Sequence, residues 1–243
     1  MNVLVLSGDL GSGKSTVAKI ILPKINAKYF STGQIMRNMA KERGIPFVEF
    51  SRYAEADPTV DYQIDEATVK LCKDSTETLL IDSRMAWHFV PEAFSVYMMV
   101  STKAAAQRIM DANRSEEMYA NLDEAIAKIT DRRRSEKLRY SELYNVKLDD
   151  LNNYDYVLDT TNLTPEQVAD KIIAAFNRYK EDGVKRIEIC PTYIEVKQRT
   201  GDKIIISGHQ DAYYTLSGGS LLEKAIKNGE SAIECEYVYA SEN

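Results

Sequence analysis

Short apolar runs alternate with longer amphipathic stretches along the first three quarters of the chain. Residues 3–6 read Val-Leu-Val-Leu without a polar break, the pattern of a strand buried on both faces in a parallel sheet. Residues 78–82 read as another buried strand, and residues 27–30, 95–100 and 156–159 as further short strands. Between them apolar residues recur at helical spacing. This predicts helices from Thr16 to a stop at Pro23, to about Arg43 before Gly44, over 46–57 and 61–73 with Asp57-Pro58 between, and over 103–112 and 122–144. Thr164 as N-cap, with Pro165 at the first helical position, opens a last helix to about Lys180. Strands alternating with helices imply parallel βαβ units. The expected fold is α/β, a three-layer doubly wound sheet of five parallel strands with ligands at the strands' carboxyl ends.

Glu181-Asp182-Gly183 marks an expected boundary between a domain over 1–181 and a module over 183–243. The pattern then turns β-rich over 184–197, broken at Pro191, with a strand at 203–207, a helix at 219–228 and a closing strand at 231–239. A small α+β module follows from that order.

Composition narrows the partners. The 243 residues are 44% apolar and 28% charged, with a net charge of -6, so no global basic field draws nucleic acid or an anionic membrane. Cys72, Cys190 and Cys235 stand far apart in no metal spacing and read as reduced thiols. The N-terminus has no basic region ahead of its short apolar run, and no stretch nears the roughly 20 apolar residues of a membrane span. The expectation is a cytoplasmic protein that engages neither membrane nor nucleic acid. His88 and His209 are isolated and suggest no catalytic role.

Residues 8–15, Gly8-Asp9-Leu10-Gly11-Ser12-Gly13-Lys14-Ser15, fit G-x-x-x-x-G-K-[ST] at every fixed position, directly after the first strand and before the helix that Thr16 opens. Glycines let backbone N–H groups wrap a polyphosphate, and the helix presents its positive end to the same anion. Lys14 is expected to reach the β- and γ-phosphates and Ser15 to ligate Mg²⁺, so ATP is the expected donor. Asp82, at the end of the 78–82 strand, either acts on Mg²⁺ through water or simply caps the next turn.

Phosphoryl transfer depends on cations gathered around the moving group. Arg37 and Arg84 both sit near the carboxyl ends of strands and could grip an acceptor phosphate. Arg132 and Arg139, seven apart on one helical face with Glu136 between them, read as a mobile lid whose carboxylate orients both forks. Arg114, Arg133 and Arg134 share this arginine-rich stretch. Asp61 and Asp65 share a helix face, suited to an exocyclic amino group of a base or to plain solvation.

With these residues in view, the chain resembles the cytidylate kinase family, in its short archaeal-like form, over about residues 1–176. Ser31-Thr32-Gly33-x-x-x-Arg37 is similar to the family's acceptor-site turn, and Pro58-x-x-Asp61-x-x-Ile64-Asp65 to its acceptor-side helix. Ile81-Asp82-Ser83-Arg84-Met85-Ala86 resembles the element whose arginine holds the CMP phosphate. Arg132-x-x-Ser135-Glu136-x-x-Arg139-Tyr140 resembles the lid, and residues 154–160 (Tyr-Asp-Tyr-Val-Leu-Asp-Thr) the strand after it. The resemblance implies Mg²⁺-dependent transfer from ATP to CMP or dCMP, with Thr32 and Gly33 at the acceptor site. Ser83 stands where the family has Gly, which is expected to narrow the acceptor pocket. Arg133 stands where it has Glu, which is expected to alter lid closure without touching the phosphate loop. Residues 187–239 faintly resemble ParB-like modules through Ile204-Ile205-Ile206-Ser207-Gly208-His209-Gln210. A dimerisation or regulatory add-on is the preferred reading, which leaves a homo-oligomer open. Two other functions fit the residues: a kinase for another small acceptor, and an ATP-binding sensor without turnover.

Overall fold

The computed structural model describes residues 2–112, 119–209 and 211–240; Arg114 of the arginine-rich stretch and Gln210 lie outside them. Strand β1 (Val3–Gly8) leads through the glycine-rich loop into α1 (Lys14–Ile25). Then come β2 (Lys28–Ser31), α2 (Thr32–Glu42), α3 (Phe47–Ala56), α4 (Pro58–Asp74), β3 (Leu79–Asp82) and the short α5 (Ala86–Phe89). Next are β4 (Phe94–Met99), α6 (Thr102–Asp111), α7 (Leu122–Tyr144), β5 (Tyr156–Asp159) and α8 (Pro165–Asp182). These strands lie in the order β2-β3-β1-β4-β5, and every neighbouring pair is parallel.

The continuous apolar runs are explained by burial on both sides. Leu4, Leu6, Leu80, Val96, Met98 and Leu158 pack toward Val17, Ile21, Ile172 and Phe176 of α1 and α8. Val3, Val5, Leu79 and Ile81 turn the other way, onto Ala86 and Val90. Chain ends of the helices follow local chemistry. The Asn121 side chain accepts from the Glu124 N–H to start α7, and Thr164 with Gln167 forms a capping box on α8. Helix α1 runs through Pro23 rather than stopping there. The proline falls in the last turn, where it removes a single intrahelical donor, and the helix ends two residues later at Ile25, with Asn26 next in the left-handed region.

The C-terminal segment adds β6 (Arg186–Ile189), β7 (Ile194–Glu195), β8 (Ile205–His209), β9 (Ala212–Ser217), α9 (Gly219–Lys227) and β10 (Ile233–Val238). Strand β6 pairs in parallel with β5, and the sheet continues β6-β10-β8-β9-β7, so the described residues form one ten-stranded sheet. Strand β9 is not among the elements that the sequence pattern predicts. Its inward positions are Tyr213 and Thr215, whose polar tips blur the period-two signal. Ile187, Ile189, Ile206, Tyr213 and Leu222 pack onto Tyr97, Met99, Tyr154 and Val157 in one core. Among the described residues no helix is long and apolar enough to cross a membrane, and the three cysteines are unbridged.

Candidate active site

At the carboxyl ends of β1, β2 and β3 opens a cavity of about 510 Å³. Its floor is the glycine-rich loop. Gly8, Gly11 and Gly13 have φ of 129°, 78° and 90°, a backbone path that side-chain-bearing residues rarely follow. A Cβ on Gly8 would sit 2.3 Å from the Met98 carbonyl oxygen, so the loop also needs glycine to lie against β4. Leu10 to Thr16 line the cavity, while Gly8 and Asp9 form the loop's back. The Asp9 carboxylate is turned away from the cavity: it accepts from Tyr97 Oη at 3.1 Å and from the Val100 N–H at 3.0 Å.

Lys14 Nζ donates to the carbonyls of Gly8 and Asp9 at 2.9 and 2.8 Å. Desolvation, with the nearby Arg84 charge adding to it, pushes its pKa down to about 7. A bound anion would oppose both influences by favouring the charged ammonium. Ser15 and Asp82 line the same cavity. Tyr29 Oη donates to Asp82 Oδ2 at 3.1 Å, and the capping role goes to Ser83, whose hydroxyl accepts from the N–H groups of Met85 and Ala86 at 3.2 Å each. Ser83 lies outside the left-handed region, so nothing in its backbone calls for glycine; it lines the cavity, with its hydroxyl capping α5.

Arg37, Arg84, Arg132 and Arg139 all line the cavity with Lys14, as do Thr32 and Gly33. Glu136 joins two of the arginines. It contacts Arg84 Nε at 3.1 Å and Arg132 Nε at 3.3 Å. Burial alone would raise its pKa, but Arg84 and Arg132 overcome that and hold Glu136 at about 2. Glu136 therefore orients Arg132 and Arg84, not the Arg132–Arg139 pair that helical spacing suggests. Arg139 is set by other partners: its Nη2 donates to Tyr140 Oη at 2.8 Å, and its Nε lies 3.8 Å from Asp61 Oδ2. Arg37 makes two donations to Gln34 Oε1 at 3.3 and 3.2 Å and lies over the Phe47 ring.

Asp61 and Asp65 do not line the cavity. Asp61 is buried facing Arg139, and Asp65 accepts from Tyr144 Oη at 2.6 Å, so the pair ties α4 to α7. Desolvation pushes Asp65 up to about 6, with Asp61 adding to it and Tyr144 opposing. Arg133 is placed differently from the sequence expectation. One step along α7 from Arg132 is about 100° around the axis. That turn buries Arg133 under the loop, where Nη2 donates to the Leu10 carbonyl at 3.4 Å and sits 3.7 Å from Asp9 Oδ2. It touches the phosphate loop directly and anchors α7 there. Sequence reasoning missed Arg108, which lines the cavity and donates to the Thr160 carbonyl at 2.6 Å. No local motif marks it. Ile109, Leu163 and Val168 add an apolar wall at the same end.

Residues 3–162 match the cytidylate kinase-like family. A cytidylate kinase of Sulfolobus acidocaldarius is 37% identical over 177 residues, covering 72% of this chain and 94% of that protein. An S-adenosylmethionine-dependent nucleotide dehydratase of Lacinutrix mariniflava is 37% identical over 185 residues, 76% of this chain; the chain spans 37% of that longer protein. Among solved structures, an uncharacterised protein from Eubacterium ventriosum is 16% identical with a TM-score of 0.57, covering 73% of this chain and 99% of that one. A shikimate kinase from Bacteroides thetaiotaomicron is 15% identical with a TM-score of 0.50, covering 74% and 96%. These two share the fold.

Proposed function

The chain belongs to the cytidylate kinase-like family, and on that premise we propose that it transfers the terminal phosphoryl group of ATP to a nucleoside monophosphate, CMP or dCMP. The observation that carries the reading is the convergence of Lys14, Arg37, Arg84, Arg132 and Arg139 on one cavity whose floor is the glycine-rich loop. With Arg108 these make six cations around about 510 Å³, which suits two phosphate-bearing ligands better than one. The nucleotide-directed name of the Lacinutrix relative supports a nucleotide over a sugar as acceptor.

In this mechanism the N–H groups of the loop residues that line the cavity, 10–15, hold the donor's β- and γ-phosphates, and Lys14 supplies a charge to both. Arg37 and Arg84 hold the acceptor phosphate in line. One of its ionised oxygens attacks the γ-phosphorus, the bond to the ADP oxygen breaks, and no general base is required. Arg132 and Arg139 spread over the transferring group, where charge is delocalised on three oxygens. Ser15 and Asp82 form a hydroxyl-plus-carboxylate donor set, which fits Mg²⁺ because that ion takes its remaining ligands from phosphates and water. Among the described residues no three-ligand group of His, Cys, Asp or Glu is arranged to bind a metal without substrate. When bound, the ion would neutralise β- and γ-phosphate charge.

Coupled ADP release with a panel of nucleoside monophosphates, sugars and sugar acids tests the proposal. Turnover is expected with pyrimidine monophosphates first. Turnover confined to a sugar would refute the acceptor, and tight ATP binding with no turnover would refute catalysis altogether.

A further inference from the structure

Behind the phosphate loop, on the side away from the large cavity, lies a small recess of about 20 Å³. The loop and β4 contribute Asp9 and Tyr97 to its wall, and the C-terminal segment contributes Tyr193, Asp211 and Tyr213. A continuous set of polar contacts joins two of its wall residues, Asp211 and Asp9. Both oxygens of the Asp211 carboxylate accept from the Thr102 N–H, at 3.3 and 3.1 Å, and Oδ2 also accepts from the Thr102 hydroxyl. Thr102 Oγ1 in turn accepts from Arg133 Nη1 at 2.8 Å. The other arm of the same guanidinium reaches the Leu10 carbonyl and the Asp9 carboxylate of the loop. Asp211 holds φ of 60°, a left-handed conformation that Asp tolerates better than most residues, and this turn delivers it to the first residue of α6. A second contact runs beside it: the Cys190 N–H donates to Asp159 Oδ2 at 3.2 Å, at the end of β5.

We infer that the C-terminal segment is a working part of the phosphate-donor site, with Asp211 a positioning residue that fixes the phosphate loop through Thr102 and Arg133. This role presupposes the donor site proposed above. A loop with three glycines at positive φ gains little rigidity from its own sequence, so its shape must be imposed from outside. Arg133 supplies that restraint on the loop's back, where its side chain is 7% exposed. The guanidinium needs its own orientation, and Thr102 with Asp211 provides an acceptor of net negative character for it. Preorganising a loop raises ligand affinity by lowering the ordering cost at binding.

Calorimetric titration of the full chain with Mg-ATP tests this. Asp211→Ala is expected to weaken binding roughly five- to tenfold, the loss of a charge-assisted bond felt through one neighbour. Asp211→Asn, which keeps the shape and one acceptor, should fall between. Thr102→Val should weaken binding by a similar factor, and the double variant should be no worse than either single one, as for residues acting in series. In turnover assays the KM for ATP should rise by the same factor while the KM for the acceptor stays put, and the melting temperature without nucleotide should stay within about 3 °C. Binding by Asp211→Ala within twofold of wild type, or losses that multiply in the double variant, would overturn the inference. Equal rises in both KM values would overturn it too, as damage to the fold at large. If the wild-type chain itself fails to bind Mg-ATP, the donor-site assignment falls first and this inference with it.

Discussion

Replacing Glu136 by Gln keeps the shape of the side chain and removes its charge from between Arg84 and Arg132. The carboxylate contacts the two guanidinium groups at 3.1 and 3.3 Å and is 19% exposed. Its pKa of about 2 against an ordinary 4.5, at ~1.4 kcal/mol per pH unit, corresponds to ~3 kcal/mol favouring the folded state at neutral pH. Removing one partner of a buried pair costs a comparable ~3 kcal/mol, so the two routes to the magnitude agree. For a chain of this size that lowers the melting temperature by roughly 6–12 °C. The sign in pH follows from the depressed value. The contribution is complete above pH 4.5 and shrinks as the pH falls toward 2, so wild type and variant should converge on acidification. Urea denaturation at pH 7, 5, 4 and 3 measures the gap directly. Added phosphate or sulfate should restore part of the variant's stability, because an anion bound in the cavity then faces the two guanidinium groups that the carboxylate no longer neutralises. A gap that is absent at pH 7, or that stays constant to pH 3, would refute the electrostatic role given to Glu136.

Three further outcomes follow from the same geometry. Because Lys14 has a pKa of about 7 and an anion restores its charge, Mg-ATP binding at pH 8 should take up close to one proton, seen by calorimetry in buffers of different ionisation enthalpy; Lys14→Arg should take up none. Arg37→Ala should raise the KM for the monophosphate roughly 10- to 100-fold and leave the KM for ATP nearly unchanged, with little effect on stability, since its contacts with Gln34 and the Phe47 ring lie on an exposed face. Arg133→Met should cost about 3 kcal/mol in denaturant titrations and weaken Mg-ATP binding, whereas a solvated lid arginine would give neither effect.

The legible parts of this protein were those written locally in the chain. The 8–15 loop declares itself because its glycines, lysine and serine act at fixed spacing. Helix α7 matches its expected 122–144 span because Asn121 caps one end and Asn145 turns back at the other. Arg37 and Arg84 meet in one cavity because a doubly wound sheet brings strand ends together whatever the helices do. What sequence could not supply was the choice among partners brought together from afar. Helical spacing offered Glu136 to Arg139 as readily as to Arg132, and the fold decided otherwise by bringing Arg84 from 52 residues away. The same limit applies to Asp61, Asp65 and Arg133. Their neighbours Arg139, Tyr144 and Asp9 are set by how α4 and α7 cross the sheet, which no local pattern records.

The attachment of β6 to β5 bears on how the chain could be shortened. In a five-strand arrangement β5 would be an outer strand, offering unpaired backbone groups along its length. Here β6 occupies that margin, and the far rim passes to β7, which is only two residues long and a poor template for another chain. A truncation near Gly183, made to isolate the part that matches the family, would uncover the β5 rim together with Tyr97, Met99 and Val157. Such a fragment is expected to precipitate or to pair edge to edge with its copies, which light scattering of the soluble fraction would show.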